Sequence, residues 1–328
     1  MTGLLDPLEV KGLTVRNRIV MPPMQTGRAT VEGAVTDRLI SFYVKRSAAL
    51  GLLIVEHCYI SAGGKLSPKQ LGIYDDELIL GLERLAGRIH AVGTPAVVQI
   101  THAGGVANRK VIGVEPAGPS ATRNARELTG SEIEALAGEF AVAAERAIKA
   151  GFDGVELHGA HGFLLNQFFS PLLNNRKDEY GGSLENRMRF PLLVVEKVRE
   201  RVRGGLLLYR LGADDLDPNG TRVEDSAAFA IRLEQCGVDV VDVSGGMCGS
   251  EPKQLRSVKG YFVPQAYEIK KAVRIPVIGV GGIAEAEYAD RLVRDGKVDL
   301  VAVGRALWKD PKWAEKAIEA LKHNEPAE

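Results

Sequence analysis

Eight short apolar segments, each followed by a stretch of helical periodicity, constrain the fold of this chain more than any other feature. The predicted strands are residues 17–23, 52–56, 96–100, 154–157, 206–210, 239–243, 276–280 and 299–303. Continuous apolar runs that alternate with helices are typical of parallel strands buried on both faces. We therefore predict an α/β fold, a single (β/α)8 TIM barrel in which the eight strands close on themselves.

The remaining segments fit around such a barrel. Residues 4–16 contain Pro7 and Gly12 and are predicted to form a short N-terminal hairpin. An open, doubly wound sheet is the alternative, but the G-x-G-x-x-G loop that it needs after its first strand is absent. The 328 residues suit one barrel with loop insertions, and no linker composition marks a boundary, so we expect residues 1–328 to form one domain.

Charge and cysteine content exclude several classes of function. Lysine plus arginine number 42, as do aspartate plus glutamate, so no excess of positive charge favours nucleic acid or an anionic membrane. The sequence shows neither a signal peptide nor a membrane-length apolar run, and we expect a cytoplasmic enzyme of small molecules. The three cysteines lack C-x-x-C spacing, which argues against zinc, iron–sulfur clusters and disulfides.

Glycines after the last two predicted strands indicate a phosphate site. VGGI follows strand seven and VGR follows strand eight, so several backbone N–H groups and one arginine meet at the same end of the barrel. Tight turns alone would explain either glycine group, but the two together with an arginine favour phosphate. The residues concerned are Gly281, Gly282, Gly304 and Arg305.

Polar residues also end strands three and five, where barrels carry their active sites. Arg210 follows three leucines, and we interpret it as a cation that stabilises a negative group of a ligand. Gln99 ends an apolar strand and is either a core amide or a contact to a heterocycle, whose edge offers both donors and acceptors.

Residues 153–187 begin as an apolar strand, reach His158 and His161, and continue as a long irregular loop. Either histidine alone would suit a core position. Two of them three residues apart at a strand end indicate a functional pair, and no neighbouring carboxylate completes a metal site. We interpret them as hydrogen-bond donors that hold a carbonyl or phenolate oxygen and stabilise the charge that develops on it.

These residues resemble the Old Yellow Enzyme family of FMN-dependent oxidoreductases over essentially the whole chain. The long motif HGAHGFLLNQFFSPLLNNRKDEYGGSLENR carries most of the resemblance, and DPLEVKGLTVRNRIVMPPM, QITHAGG, VGGI and VGR follow the family's order. The resemblance implies a noncovalent FMN that is reduced by NADH or NADPH. It also implies hydride transfer to the β-carbon of an α,β-unsaturated carbonyl compound, and a homo-oligomeric assembly.

The resemblance assigns roles to individual residues. His158, His161 and Phe163 would bind the substrate. The residues around FMN would be Pro23, Met24, Gln25, Thr26, His57, Gln99, Arg210, Ser244, Gly245, Gly281, Gly282, Gly304 and Arg305. The His–His pair is similar to the YqjM-like subgroup and the xenobiotic reductases, whereas the run MQTG resembles the dienoyl-CoA reductase branch.

One departure from the family bears directly on the reaction. Phe163 stands where relatives carry a tyrosine that often donates the proton to the α-carbon. Water would serve instead, or another acid, of which the candidates are Tyr59, Tyr261 and His57. Addition and return of hydride would instead make the chain an isomerase or a desaturating or amine dehydrogenase. A flavin-free phosphosugar isomerase or lyase and a binding-only barrel are further alternatives on this fold.

Overall fold

The computed structural model describes residues 2–323, and its centre is a closed barrel of eight parallel strands. The strands are β1 (Leu8–Val10), β2 (Leu13–Val15), β3 (Ile19–Met21), β4 (Leu52–Tyr59), β5 (Ala96–Thr101), β6 (Ala117–Gly118), β7 (Arg126–Glu127), β8 (Gly154–Gly159), β9 (Leu206–Gly212), β10 (Val240–Ser244), β11 (Val277–Gly279) and β12 (Leu300–Ala302). The barrel order is β3-β4-β5-β8-β9-β10-β11-β12, and β12 pairs with β3 to close it. The predicted (β/α)8 barrel is confirmed.

Helices follow the barrel strands and surround them. They are α1 (Asp37–Ser47), α2 (Ile79–His90), α3 (Arg109–Ile112), α4 (Gly130–Lys149), α5 (Leu164–Phe169), α6 (Leu184–Arg201), α7 (Val223–Gln235), α8 (Val263–Ala272), α9 (Ala286–Arg294), α10 (Arg305–Lys309) and α11 (Trp313–His323). No helix among residues 2–323 combines the length and apolar character that crossing a bilayer demands.

The start of α4 illustrates how local sequence sets an element boundary. The Thr129 side chain accepts a hydrogen bond from the backbone N–H of Glu132, whose carboxylate accepts one from the backbone N–H of Thr129. This reciprocal capping box satisfies donors that the first helical turn leaves free.

Side chains inside the barrel change from apolar to polar along the strands. On β9, Leu206 and Leu208 belong to the inner apolar cluster, as does Val240 on β10. Because successive side chains of a strand point to opposite faces, the next inward positions are Arg210 and Asp242. The hairpin β1–β2 packs Val10 and Val15 against the same apolar cluster. The amino ends of the strands are thus sealed, and the polar site lies at their carboxyl ends.

The loop after β8 differs from the irregular segment that the sequence predicted. It contains α5, a six-residue helix in which every residue is buried. A helix buried on all sides shows no alternation of apolar and polar residues, so periodicity cannot reveal it. Gln167 of this helix donates hydrogen bonds to the carbonyl oxygens of Ala103 and Gly162, and thereby ties the loops after β5 and β8 together.

Candidate active site

A cavity of about 750 Å³ lies at the carboxyl ends of the barrel strands. Most of the predicted site residues line it, namely Pro23, Met24, Gln25, His57, Gln99, His158, His161, Phe163, Arg210, Ser244, Tyr261, Gly282, Gly304 and Arg305. The predicted residues outside its lining are Thr26, Tyr59, Gly245 and Gly281. Its size falls in the usual range for small-molecule and cofactor sites, about 300–1,000 Å³.

Three of the residues outside the lining support the site instead. The Thr26 hydroxyl donates to Glu56 Oε1 at 2.6 Å. Gly281 has a φ of +123°, which favours glycine, and its carbonyl accepts the N–H of Tyr261 at 3.2 Å. Gly245 accepts the backbone N–H of His161 at 3.1 Å. These hydrogen bonds position neighbouring loops, and the predicted contacts of the three residues with FMN stay a prediction.

Tyr59 requires a correction as a candidate acid. Its hydroxyl donates to the Glu32 carbonyl at 2.8 Å, and its ring stacks on Tyr74 with centroids 5.0 Å apart. Burial is the main factor that raises the pKa of this phenol. The side chain therefore lies outside the cavity and holds its proton firmly, so it does not serve as a proton donor there.

His158 and His161 lie together at the end of β8, with ring centroids 5.2 Å apart. The backbone of His161 has a φ of +58°, a left-handed conformation that is strained for a residue with a side chain. Strand β10 holds it there, because the Ser244 hydroxyl lies 2.7 Å from His161 Nε2. Such strain at a cavity is common in functional sites.

Burial keeps these histidines uncharged. It is the main cause that lowers the pKa of both His158 and His161 well below the usual value, and the nearby charge of Arg210 lowers them further. Each ring is therefore neutral at physiological pH and carries one N–H donor. The Nδ1 atom of His158 is buried and has no hydrogen-bond partner among residues 2–323.

Arg210 lies above two buried carboxyl groups. Its Nε is 3.5 Å from Asp242 Oδ2, while Glu156 Oε1 accepts a hydrogen bond from Gln99 Nε2 at 2.8 Å. With both groups ionised, no donor among residues 2–323 bonds either Asp242 oxygen or Glu156 Oε2, so a proton on Glu156 would supply the missing donor. Burial, followed by the charge of Asp242, raises the pKa of Glu156 well above its usual range. We conclude that Glu156 is protonated and hydrogen-bonds to Asp242, whose charge balances that of Arg210.

Arg305 marks a second cationic region of the cavity, beside Gly282 and Gly304. Its guanidinium forms an ion pair with Glu251 and donates to the Tyr261 hydroxyl at 3.4 Å. The Tyr261 hydroxyl in turn donates to the Ser250 carbonyl at 2.9 Å. The structure thus groups Tyr261 with Arg305, whereas the aromatic neighbours of His158 are His57, His161 and Phe163.

Three residues near the cavity were not predicted from the sequence, namely Glu156, Asp242 and Gln70. The alternation of side chains along a strand would have indicated the first two. Glu156 and Asp242 each lie two residues before a predicted site residue, His158 and Ser244, and period-two alternation places such pairs on one face. Gln70, which contacts His57, lies in a loop and gave no such signal. No group of three or more His, Cys, Asp or Glu among residues 2–323 is arranged to hold a metal ion.

Comparisons with known proteins agree with this geometry. The model of the NADH:flavin oxidoreductase / NADH oxidase family matches residues 3–324. The chain is 43% identical to an NADH oxidase of Thermoanaerobacter brockii, covering 97% of this chain but only 51% of that relative. It is 39% identical to an NADPH dehydrogenase of Geobacillus sp. (strain WCH70), covering 98% of this chain and 95% of the relative. It is also similar to the solved structure of an old yellow enzyme homologue from Zymomonas mobilis, with a TM-score of 0.86, 27% identity, and coverage of 97% of this chain and 93% of that one.

Proposed function

We propose that this chain, which belongs to the NADH:flavin oxidoreductase / NADH oxidase family, uses NADH or NADPH to reduce the activated C=C bond of an α,β-unsaturated carbonyl compound through FMN. Membership makes it an FMN-dependent oxidoreductase that draws electrons from a nicotinamide nucleotide. The observation that carries the finer proposal is the pair of neutral histidines beside a guanidinium in one cavity.

The residues present fit FMN. Arg210 faces the cavity at one place and Arg305 at another, which suits a flat heterocycle with a phosphate tail. Arg210 is buried and lines the cavity, with Asp242 Oδ2 3.5 Å from its Nε, so it offers a charge-balanced cation to a ligand. Gln99 gives its amide N–H to Glu156, so its carbonyl oxygen remains to accept from a ring N–H. Gly282, Gly304 and Arg305 would hold the phosphate.

Bound FMN supplies the two-electron chemistry that connects the nicotinamide with the alkene. His158 and His161 bind the substrate carbonyl oxygen and stabilise the negative charge that grows on it as hydride reaches the β-carbon. Since both rings are neutral, they act through N–H dipoles and need not titrate near pH 7. We expect kcat/KM for an enone to show no histidine ionisation between about pH 6 and 8.

The remaining proton reaches the α-carbon without the family's tyrosine. Phe163 occupies that position, and its ring lies 4.4 Å from His158 by centroids. Among residues 2–323 the aromatic neighbours of His158 include no phenol, and burial keeps His57 neutral, so the geometry supports protonation by water. Phe163 also favours a second candidate, an isomerase that returns the hydride, because slow protonation prolongs the intermediate.

Anaerobic half-reactions test the proposal. The purified, FMN-loaded protein should lose its yellow absorbance when NADH or NADPH is added, and regain it when 2-cyclohexenone follows. A protein that takes up no FMN, or a reduced protein that none of a panel of enones reoxidises, would refute the ene-reductase function. Interconversion of the E and Z isomers of the alkene without net consumption of NAD(P)H would identify the isomerase.

The physiological setting completes the proposal. We propose that residues 1–328 act as one domain on a small molecule in the cytoplasm, and that the chain assembles as a homo-oligomer. The resemblance to the family supports the assembly, and light scattering of the purified protein measures its mass directly. A monomer at micromolar concentration would contradict this part alone.

A further inference from the structure

A buried amide fixes the protonation of His57. Gln70 is fully buried, and its Oε1 accepts the backbone N–H of Leu66 at 2.7 Å. Its Nε2 lies 2.8 Å from His57 Nδ1 and 3.4 Å from the His57 carbonyl oxygen. One end of the amide therefore meets a donor, and the other meets an imidazole nitrogen and a carbonyl.

These contacts determine which end of the amide is which. With the amide reversed, its NH2 group would face the N–H of Leu66, and its oxygen would face the carbonyl oxygen of His57. Both contacts would be repulsive, so Nε2 is the atom beside His57 Nδ1. An amide nitrogen only donates, so Nδ1 must accept. The ring proton of neutral His57 is consequently on Nε2.

The remaining ring nitrogen is available to a ligand. His57 lines the cavity, and its Nε2 makes no hydrogen bond with any residue in the described range 2–323. Its ring centroid lies 6.0 Å from that of His158 and 5.2 Å from that of Phe163. Burial lowers the pKa of His57 to about 4, so the ring stays neutral and keeps this single donor.

Acceptor capacity then limits what His57 binds. A carbonyl oxygen has two lone pairs, and in the proposed function His158 and His161 occupy both. A third N–H donor in the same cavity requires another acceptor, and a buried donor left unpaired is costly. The extra donor therefore selects ligands that carry a second oxygen.

We propose that His57, held by Gln70 as the Nε2–H tautomer, is a specificity-determining residue that recognises a second oxygen acceptor of the substrate. This inference rests on the proposed function and narrows it. The preferred substrates are activated alkenes with two oxygen acceptors, such as conjugated dicarbonyl compounds. Simple enones with one carbonyl leave the His57 donor unpaired.

The tautomer is measured directly by ¹⁵N NMR of the histidine side chains in the FMN-loaded protein. The wild-type protein should show His57 protonated at Nε2 alone. Gln70→Met removes the amide at similar size and should give a mixture of the two tautomers. A wild-type His57 protonated at Nδ1, or a Gln70→Met protein with an unchanged spectrum, would overturn the tautomer assignment.

Substrate preference tests recognition with two matched compounds, 2-cyclohexenone and 2-cyclohexene-1,4-dione. We expect His57→Phe, which keeps the ring but removes the donor, to lower the preference in kcat/KM for the dione by about 3- to 10-fold. His57→Gln restores an N–H donor and should recover part of this preference.

The outcomes separate the two proposals. Turnover of both compounds with an unchanged preference in His57→Phe would overturn this inference and leave the proposed function standing. Weakened FMN binding with an unchanged preference would assign the donor to the cofactor, and also overturn it. A wild-type protein that reduces neither these two compounds nor any member of the enone panel would refute both.

Discussion

Replacing Glu156 by glutamine should make the protein more stable at neutral pH, although Glu156 is fully buried in the core. Glutamine keeps both contacts of the protonated acid, because its oxygen accepts from Gln99 and its NH2 group donates to Asp242. Because both hydrogen bonds are kept, the free energies of unfolding of wild type and variant should differ by less than about 1 kcal/mol near pH 4.

The advantage of the variant grows as the pH rises. Folding holds the Glu156 proton, because the folded pKa is raised, whereas the unfolded chain releases it near the usual value of 4.5. Between these pKa values the unfolded state binds fewer protons, so this group lowers the free energy of unfolding by about 1.36 kcal/mol per pH unit. Glutamine does not titrate, so the free energy of unfolding of the variant does not fall with pH for this reason.

Urea denaturation of wild type and Glu156→Gln from pH 4.5 to 8.5 measures the difference. The exposed Glu134 on α4 provides a matched control, since Glu134→Gln makes the same chemical change outside the core. We expect the free energy of unfolding of Glu156→Gln to exceed that of wild type by an amount that grows with pH. The control variant should show no such trend. If the variant is less stable than wild type at pH 8, or if the stability difference does not change with pH, Glu156 does not share a proton with Asp242.

Three further changes probe the cavity itself. Phe163→Tyr adds the missing phenol, and we expect the reoxidation of the reduced protein by 2-cyclohexenone to accelerate at least about tenfold in stopped flow; no acceleration would show that protonation is not limiting. Ser244→Ala removes the hydrogen bond to His161 Nε2, and should raise KM for the enone about threefold to tenfold while FMN affinity, followed by fluorescence, stays constant. Glu251→Gln frees Arg305 from its ion pair, and we expect apo-protein to bind FMN about threefold more tightly; weaker binding would mean that Glu251 positions Arg305 instead.

The fold was predictable because its signal repeats. Each barrel strand is a short apolar run, and all eight were located within a few residues of their observed bounds, for example 276–280 against Val277–Gly279. The buried helix α5 was missed, because burial on every side removes the periodicity on which such predictions depend.

The site was only partly predictable, since a strand end indicates where a residue lies but not what its side chain contacts. His158 and Arg210 stand at the carboxyl ends of predicted strands, so their place at the cavity could be inferred. Tyr59 also ends a strand, yet β4 has an irregular register between Val55 and Cys58, which breaks simple alternation. Its hydroxyl donates to the Glu32 carbonyl outside the cavity, a contact that the sequence pattern does not indicate.

Charge balance explains why the inner part of the cavity can be both buried and reactive. Arg210 carries one positive charge, Asp242 one negative charge, and the shared proton leaves Glu156 neutral. The histidines are neutral as well, so this region carries no net charge before a ligand binds. Negative charge that develops during reduction is then met by N–H donors already in place and by the Arg210 guanidinium, which lines the cavity. An ionised Glu156 would place a second carboxylate beneath Arg210 and oppose that charge. The buried proton therefore matters to the reaction as well as to stability, and Glu156→Gln, which fixes the neutral state, should retain flavin reduction by NAD(P)H at pH values where wild type loses it.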